Sequence, residues 1–329
     1  MPSTWSTISS SSPNSSGDKS SNHGPSSTWD ILEHSLISSY SDSSSPDALL
    51  AHPPRSPTLQ PRPPLAVRIT SEIAYLLHAY QTGVATWMDL FDHGCTYQRV
   101  VSRQILDSEL LLHCVCAFTA KNLSLLPSGM AWVSAAAYHY GESLRLLREL
   151  LNNSIPQENA LTAIILLSSY EMIAAQGQEL QRHFFGATLL IRTYGISAGS
   201  HGINRANFWI YIRHEIVVAL VNESPMQMSP NEWNVRWRDG ETEEDVFGNQ
   251  LLWLVGRAID VVFAKDPNTQ EPMPIMVDAR NDLLREVDRW LDTLPSSFRA
   301  ISYGEPTDEG FSRLHYSLPT VCEWQLTLI

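Results

Sequence analysis

The sequence predicts an all-α protein, with a single multi-helix domain preceded by a disordered Ser/Pro-rich tail. Three observations carry this. From about residue 69 onward, apolar residues recur at steps of three and four, the period of a helix with one buried face. Capping side chains, glycines and prolines stand where those runs begin and end. No stretch alternates apolar and polar residues with β-branched enrichment, so no strand is expected. No fixed period of the tetratricopeptide or HEAT kind recurs either, which argues against a regular solenoid.

The first predicted helix follows Ser71 through Ile73, Leu76, Leu77 and Tyr80 and ends near Gly94. A second spans roughly 107–123. A third runs from about Ala131 to Leu151, with Leu144, Leu147, Leu150 and Leu151 on one stripe and Arg145 and Glu149 spaced to pair on its wet side. Ser154 and Gln157 form a capping box around Pro156. The helix they open, through Ala160–Leu167, is apolar nearly all round and belongs at the centre of the core. Another runs from about 177 to 194 and stops at Gly195. Asn204 starts a helix through Phe208, Trp209, Ile212, Ile216 and Leu220. Thr242 is an N-cap candidate for a helix through Leu251, Leu254, Ala258 and Val262, and Glu243, Glu244 and Asp245 suit its positive end. The last carries Leu283, Val287, Trp290 and Leu294 and is closed by Pro295. About eight helices result.

Residues 1–66 read differently. Twenty serines and ten of the twenty prolines fall in residues 1–64. So little apolar surface cannot offset the conformational entropy of ordering the chain. Ser12-Pro13, Ser45-Pro46 and Ser56-Pro57 fit proline-directed phosphorylation, although such pairs are frequent in this composition. One island interrupts the tail, Trp29 to Ile37, where bulky apolar residues mix with acids as in disordered activation segments. Trp29, Leu32 and Leu36 share a face of a transient helix that fits a partner's groove. A chance apolar cluster, or a segment packing on its own domain, is the plainer reading of the same residues.

The formal net charge is −13, and the tail holds only three basic and five acidic residues of it. The remainder therefore carries 19 basic and 30 acidic side chains. Affinity for DNA comes largely from Lys and Arg neutralising phosphates, and this chain has three lysines, Lys19, Lys121 and Lys265. No direct nucleic-acid contact is expected. The start has no charged segment followed by an apolar one, and no run approaches the roughly eighteen apolar residues of a membrane span. Neither a signal peptide nor a membrane anchor is expected, and the cysteines are expected to stay reduced.

The search for chemistry returns mostly structural readings. Cys95, Cys114, Cys116 and Cys322 lack the second pair a zinc site needs, and Cys114 and Cys116 lie in an apolar run as small core residues. His214-Glu215 resembles the start of a metalloprotease helix, but the position of the second histidine is Val218. Gly177, Gly186 and Gly195 lack dinucleotide-loop spacing, and there is no nucleophile elbow or phosphate loop. Asn281, Asp282 and Asp288 alternate with an apolar stripe, as a solvated face does. No catalytic, metal-binding or cofactor-binding residue is assigned. Trp233 and Trp237, spaced by four, fit one face of a short helix, either in the core or lining a small-molecule pocket.

Residues 68–320 resemble the regulatory domain of fungal-specific transcription factors, the zinc-cluster family. The likeness runs through Ala135–Tyr140 into Leu144–Leu151, Ala160–Tyr170 and Gly186–Ile191. It is strongest at Phe208-Trp209-Ile210-Tyr211-Ile212-Arg213-His214-Glu215, followed by Asn222-Glu223 and Trp233–Trp237. The resemblance implies an all-α effector domain over residues 67–329, a nuclear location and control of transcription, and it carries over no catalytic residue. Trp209, Arg213, Trp233 and Trp237 become the candidate regulatory pocket or interaction residues. The sequence departs from the family in two ways. The family's zinc cluster uses six cysteines, and four cannot build it. The family domain also continues with further helices, so the run from Leu318 to Ile329 predicts a domain truncated at its C-terminus.

The leading expectation is therefore a transcription regulator without its own DNA-binding module. It would work through dimerisation, through the transcription machinery or by titrating a full-length relative, and control of a biosynthetic gene cluster fits the family. A small-molecule sensor or general protein-interaction module is the alternative. An all-α enzyme is the third reading and lacks its constellation.

Overall fold

Two of the helices start where a side chain satisfies one of the first free backbone N–H groups, Thr70 and Ser108 supplying the caps. The computed structural model describes residues 68–152, 159–174, 182–237, 241–265, 274, 276–305, 310 and 312–316. Trp29, Leu32 and Leu36, the Ser-Pro pairs, the Ser154–Gln157 capping box, Gly177 and Cys322 lie outside the described residues.

Helix α1, Ser71–Ala79, is capped by Thr70 rather than Ser71: the Thr70 Oγ1 accepts from the Ile73 N–H at 3.2 Å. It widens into a π-helical segment, Tyr80–Val84, and continues as α2, Ala85–Met88. A segment missed by the periodicity follows, π-helical over Tyr97–Val101 and then α3, Ser102–Gln104. Its start depends on a distant cap. The Asp89 carboxylate accepts the Tyr97 and Gln98 N–H groups, both at 2.8 Å. Helix α4, Glu109–Ser124, is capped by Ser108 and buried from Leu110 to Ala120. Cys114 and Cys116 are core residues within it, and burial pushes both thiols up to about 12.

The turn after α4 brings Gly129 against the Leu123 carbonyl, where a Cβ would lie only 2.0 Å from the oxygen. A 3₁₀ turn, Gly129–Trp132, then enters α5, Val133–Asn152, on which Arg145 pairs with Glu149 at 2.7 Å. Helix α6, Ala160–Ala174, is buried from Ala160 to Ser169 and packs against α4 and α5. Helix α7, Arg182–Thr193, ends at Gly195, whose φ of +60° lets the Ile196 N–H reach back to the Ile191 carbonyl at 2.9 Å.

Helix α8, Gly202–Val221, begins two residues before Asn204 and packs on α6 and α7. Helix α9, Glu244–Val262, lies against α8. Its N-cap is Glu243 rather than Thr242, with no side-chain cap bond, and the Glu241 carboxylate instead accepts the Thr242 and Glu243 N–H groups. Helix α10, Val277–Thr293, contributes one buried residue, Trp290, to a small separate cluster with Phe247, Leu254 and Phe298. Asp282 and Asp288 stay on its exposed face. One feature contradicts the sequence reading. Strands β1, Ile301–Tyr303, and β2, Arg313–His315, form an antiparallel hairpin with Ser302 opposite Leu314. All six residues are exposed, so the pair has no core face and leaves no alternating signature.

Candidate functional site

Helix α8 carries the stretch on which the family resemblance is strongest, and several of its side chains tie neighbouring elements to it. Phe208 is buried edge-on against Trp209 and Trp233. Tyr211 stacks on Phe184 of α7 with centroids 5.0 Å apart, and its hydroxyl lies 2.9 Å from Thr188 Oγ1. Asn207 accepts from the Tyr97 hydroxyl at 2.6 Å and donates to Thr162 of α6 at 3.0 Å. Arg213 donates to the carbonyls of Trp87 and Met88 at 3.0 and 2.7 Å, clamping the end of α2, with its guanidinium over the rings of Trp87 and Phe91. Burial lowers its pKa to about 10, which still leaves the side chain fully charged at neutral pH.

His214 and Glu215 point apart, as their spacing on a helix requires. His214 sits between Ser168 and Ser169 of α6, at 3.4 and 3.3 Å, and burial holds it neutral with a pKa of about 3. Glu215 turns the other way and accepts the Met228 N–H at 2.7 Å. Burial pushes its carboxyl up to about 7, against hydrogen bonds from Met228, Tyr211 and the Gln227 backbone that act to lower it. A carboxyl raised this way stabilises the fold most below its unfolded value of 4.5, and that contribution is lost as pH rises through about 7. Glu215→Gln mimics the protonated form. Between pH 5 and 8 its unfolding free energy should therefore fall less than the wild type's, by about 2–3 kcal/mol. Parallel urea titrations of the two proteins at those pH values check this, and identical slopes would contradict it.

Trp209 and Trp233 meet edge to face with centroids 6.3 Å apart. Trp233 is fully buried, and its indole Nε1 donates to the Met228 carbonyl at 2.9 Å. Its ring rests on Gly256 of α9, where a Cβ would lie 2.5 Å from Cη2. Gly256→Ala should thus cost about 1–3 kcal/mol by forcing the ring aside, read as a lower denaturation midpoint. Trp237 does not join this group. The Trp233–Trp237 segment is not the short helix its spacing suggested, because Asn234 takes a φ of +56° and turns the chain. Trp237 is 43% exposed and lies edge-on to Trp253, over which Arg257 stacks. Trp209, Arg213, Met88 and Phe91 line a partly open pocket of about 10 Å³, the room of one water. Among the described residues, the Trp209 Nε1 and Arg213 Nε are buried donors without a hydrogen-bond partner.

A larger space lies elsewhere, between the first turns of α1 and α4 and the second turn of α5. It is a cleft of about 520 Å³ walled by Glu72, Asp107, Glu109, His113, Tyr138 and His139. His113 and His139 share a hydrogen bond between their Nδ1 atoms at 3.0 Å, and burial lowers both pKa values, that of His139 to about 4. Sequence reading missed this pair because the two residues lie 26 positions apart on different helices. The available signal was two histidines inside otherwise apolar helical runs.

Among the described residues, the one group whose ligating atoms converge is His93, Glu243 and Asp245. Arg205 reaches Asp245 at 3.4 Å, so this group reads as an ion-pair cluster at the start of α9. No helix of the described residues is long and apolar enough to cross a membrane.

This is a helical domain in which the polar side chains of α8 tie the neighbouring elements together. The fungal specific transcription factor domain matches residues 75–323, about three-quarters of the chain, and the protein belongs to that family of transcription regulators. No curated protein and no solved structure matches it.

Proposed function

We propose that residues 67–329 form a regulatory domain that controls transcription in the nucleus by docking protein partners rather than by contacting DNA. The observation that carries this reading is an apolar corner between α4 and α5. Leu125, Leu126 and Val133 are about half exposed there and Met130 is 79% exposed, beside the stacked rings of Tyr75 and Trp132. Exposed apolar side chains clustered on a folded surface mark interaction sites. The acidic balance of the domain supports the same reading, since it disfavours a phosphate backbone. The partners in this reading are the transcription machinery, a full-length relative or a second copy of the chain. Residues 1–66 supply an activation segment at Trp29, Leu32 and Leu36, and family membership supports a biosynthetic gene cluster as target. Trp209, Arg213 and Trp233 hold the domain's shape, and Trp237 remains a surface contact.

Fusing residues 1–329 to an unrelated DNA-binding domain upstream of a reporter tests the proposal. Reporter output should change several-fold in either direction, and an unchanged output would count against it. The cleft beside His113 and His139 favours a second reading, in which the same domain also senses a small molecule.

A further inference from the structure

We propose that the cleft between α1, α4 and α5 binds an extended organic cation of the polyamine class, an inference that rests on the sensor reading above only for its regulatory consequence. The volume comes first. About 520 Å³ lies within the range of small-molecule sites, far more room than the space beside Trp209 and Arg213. The charge comes second. Glu72, Asp107 and Glu109 stand around the cleft, and among the described residues Arg68 is the one lysine or arginine that lines it. Among the described residues, no lysine or arginine forms a salt bridge with any of the three carboxylates. The wall comes third. The Tyr138 ring is mostly exposed and stands edge-on to His113 and His139, with centroids 6.0 and 5.2 Å away, so it presents an aromatic surface to the cleft. Ammonium groups are attracted to such faces.

A buried histidine also lines the space. His139 is only 2% exposed, and its Nδ1 is occupied by His113. Its Nε2 lies 4.0 Å from the nearest Glu72 oxygen, outside hydrogen-bond range. A ligand nitrogen placed between Nε2 and Glu72 would bridge that gap. The spread of charge distinguishes an extended amine from a metal ion. A divalent cation requires oxygens converging within about 2.0–2.6 Å of one point, and these carboxylates do not form a converging group. An anion is disfavoured although two helix N-termini open here, because acids occupy both first turns.

Isothermal titration of the full chain with spermidine at low salt tests the proposal. A saturable one-to-one isotherm is expected. Glu72→Gln with Glu109→Gln should weaken binding by about tenfold or more, since each removes a charge-assisted contact, and Tyr138→Leu should weaken it several-fold. Asp288→Asn with Asp292→Asn removes equal charge from exposed positions on α10 and should leave the isotherm within about twofold, as expected for a site-specific interaction. Circular dichroism verifies that each variant keeps its helices. A non-saturating isotherm, or equal loss in the α10 variant, would mean general attraction to an acidic protein and would overturn the site. Saturable binding that survives the Glu72/Glu109 change would overturn it too. The tethered reporter is independent: spermidine binding with a silent reporter keeps the site and sinks the regulatory reading, and the reverse result does the opposite.

Discussion

Trp233→Ala is expected to lower the unfolding free energy by about 3–5 kcal/mol, the range for emptying a fully buried aromatic site. Three elements rest on this ring. Trp209 and Phe208 of α8 pack edge-on against it, Gly256 of α9 is flat enough to let it approach, and the Met228 carbonyl accepts its indole N–H. The truncation removes the packing and leaves that carbonyl without its donor. Little collapse is available, because the ring is walled by two helices and a turn held by Glu215. Denaturant unfolding monitored by circular dichroism measures the effect, and a loss below about 1 kcal/mol would show that Trp233 is peripheral. Trp237→Ala, at an exposed site, should cost well under half as much in the same assay.

Arg213→Met is the second large effect, at about 3 kcal/mol. Methionine keeps much of the aliphatic stem, so the loss isolates the guanidinium. That group makes two charge-assisted bonds to the last carbonyls of α2, each worth about 1.5–3 kcal/mol, and contacts two aromatic faces besides. The Asp89 carboxyl, raised to about 6 mainly by burial, is lowered by the nearby Arg213 charge. Arg213→Met should therefore raise it further and weaken the cap it provides to Tyr97 and Gln98. Hydrogen exchange should then show residues 85–104 opening before α4 and α6. Uniform loss of protection across the domain would contradict this order.

Most of the helices were legible because their signals are local. The Leu stripe of α5, the all-apolar face of α6 and the glycine after α7 each state a helix or its end within a few residues. What escaped depends on distant groups. The segment over Tyr97–Gln104 carries no cap of its own, since Asp89, eight residues earlier, supplies it. The spacing of Trp233 and Trp237 suggested a helix, but an asparagine with positive φ, which sequence seldom reveals, separates them. The candidate residues divide for the same reason. Trp209, Arg213 and Trp233 gather around α8, whereas Trp237 pairs with Trp253. The cleft was not legible, because it exists only where α1, α4 and α5 meet. Polar residues within α8 look exceptional in sequence, and the structure gives each a partner on another element: Asn207 on α6, Arg213 on α2, His214 on α6 and Glu215 on the turn before α9.

The claim that this domain works through docked partners is tested most directly by Leu126→Asp with Met130→Asp in the tethered reporter. Both side chains are exposed, so the domain should stay folded while the apolar corner between α4 and α5 becomes charged. The account predicts that the wild-type chain shifts the reporter several-fold and that the double variant falls well short of that shift with unchanged helix content, keeping only what the tail contributes. A double variant as active as the wild type would contradict it.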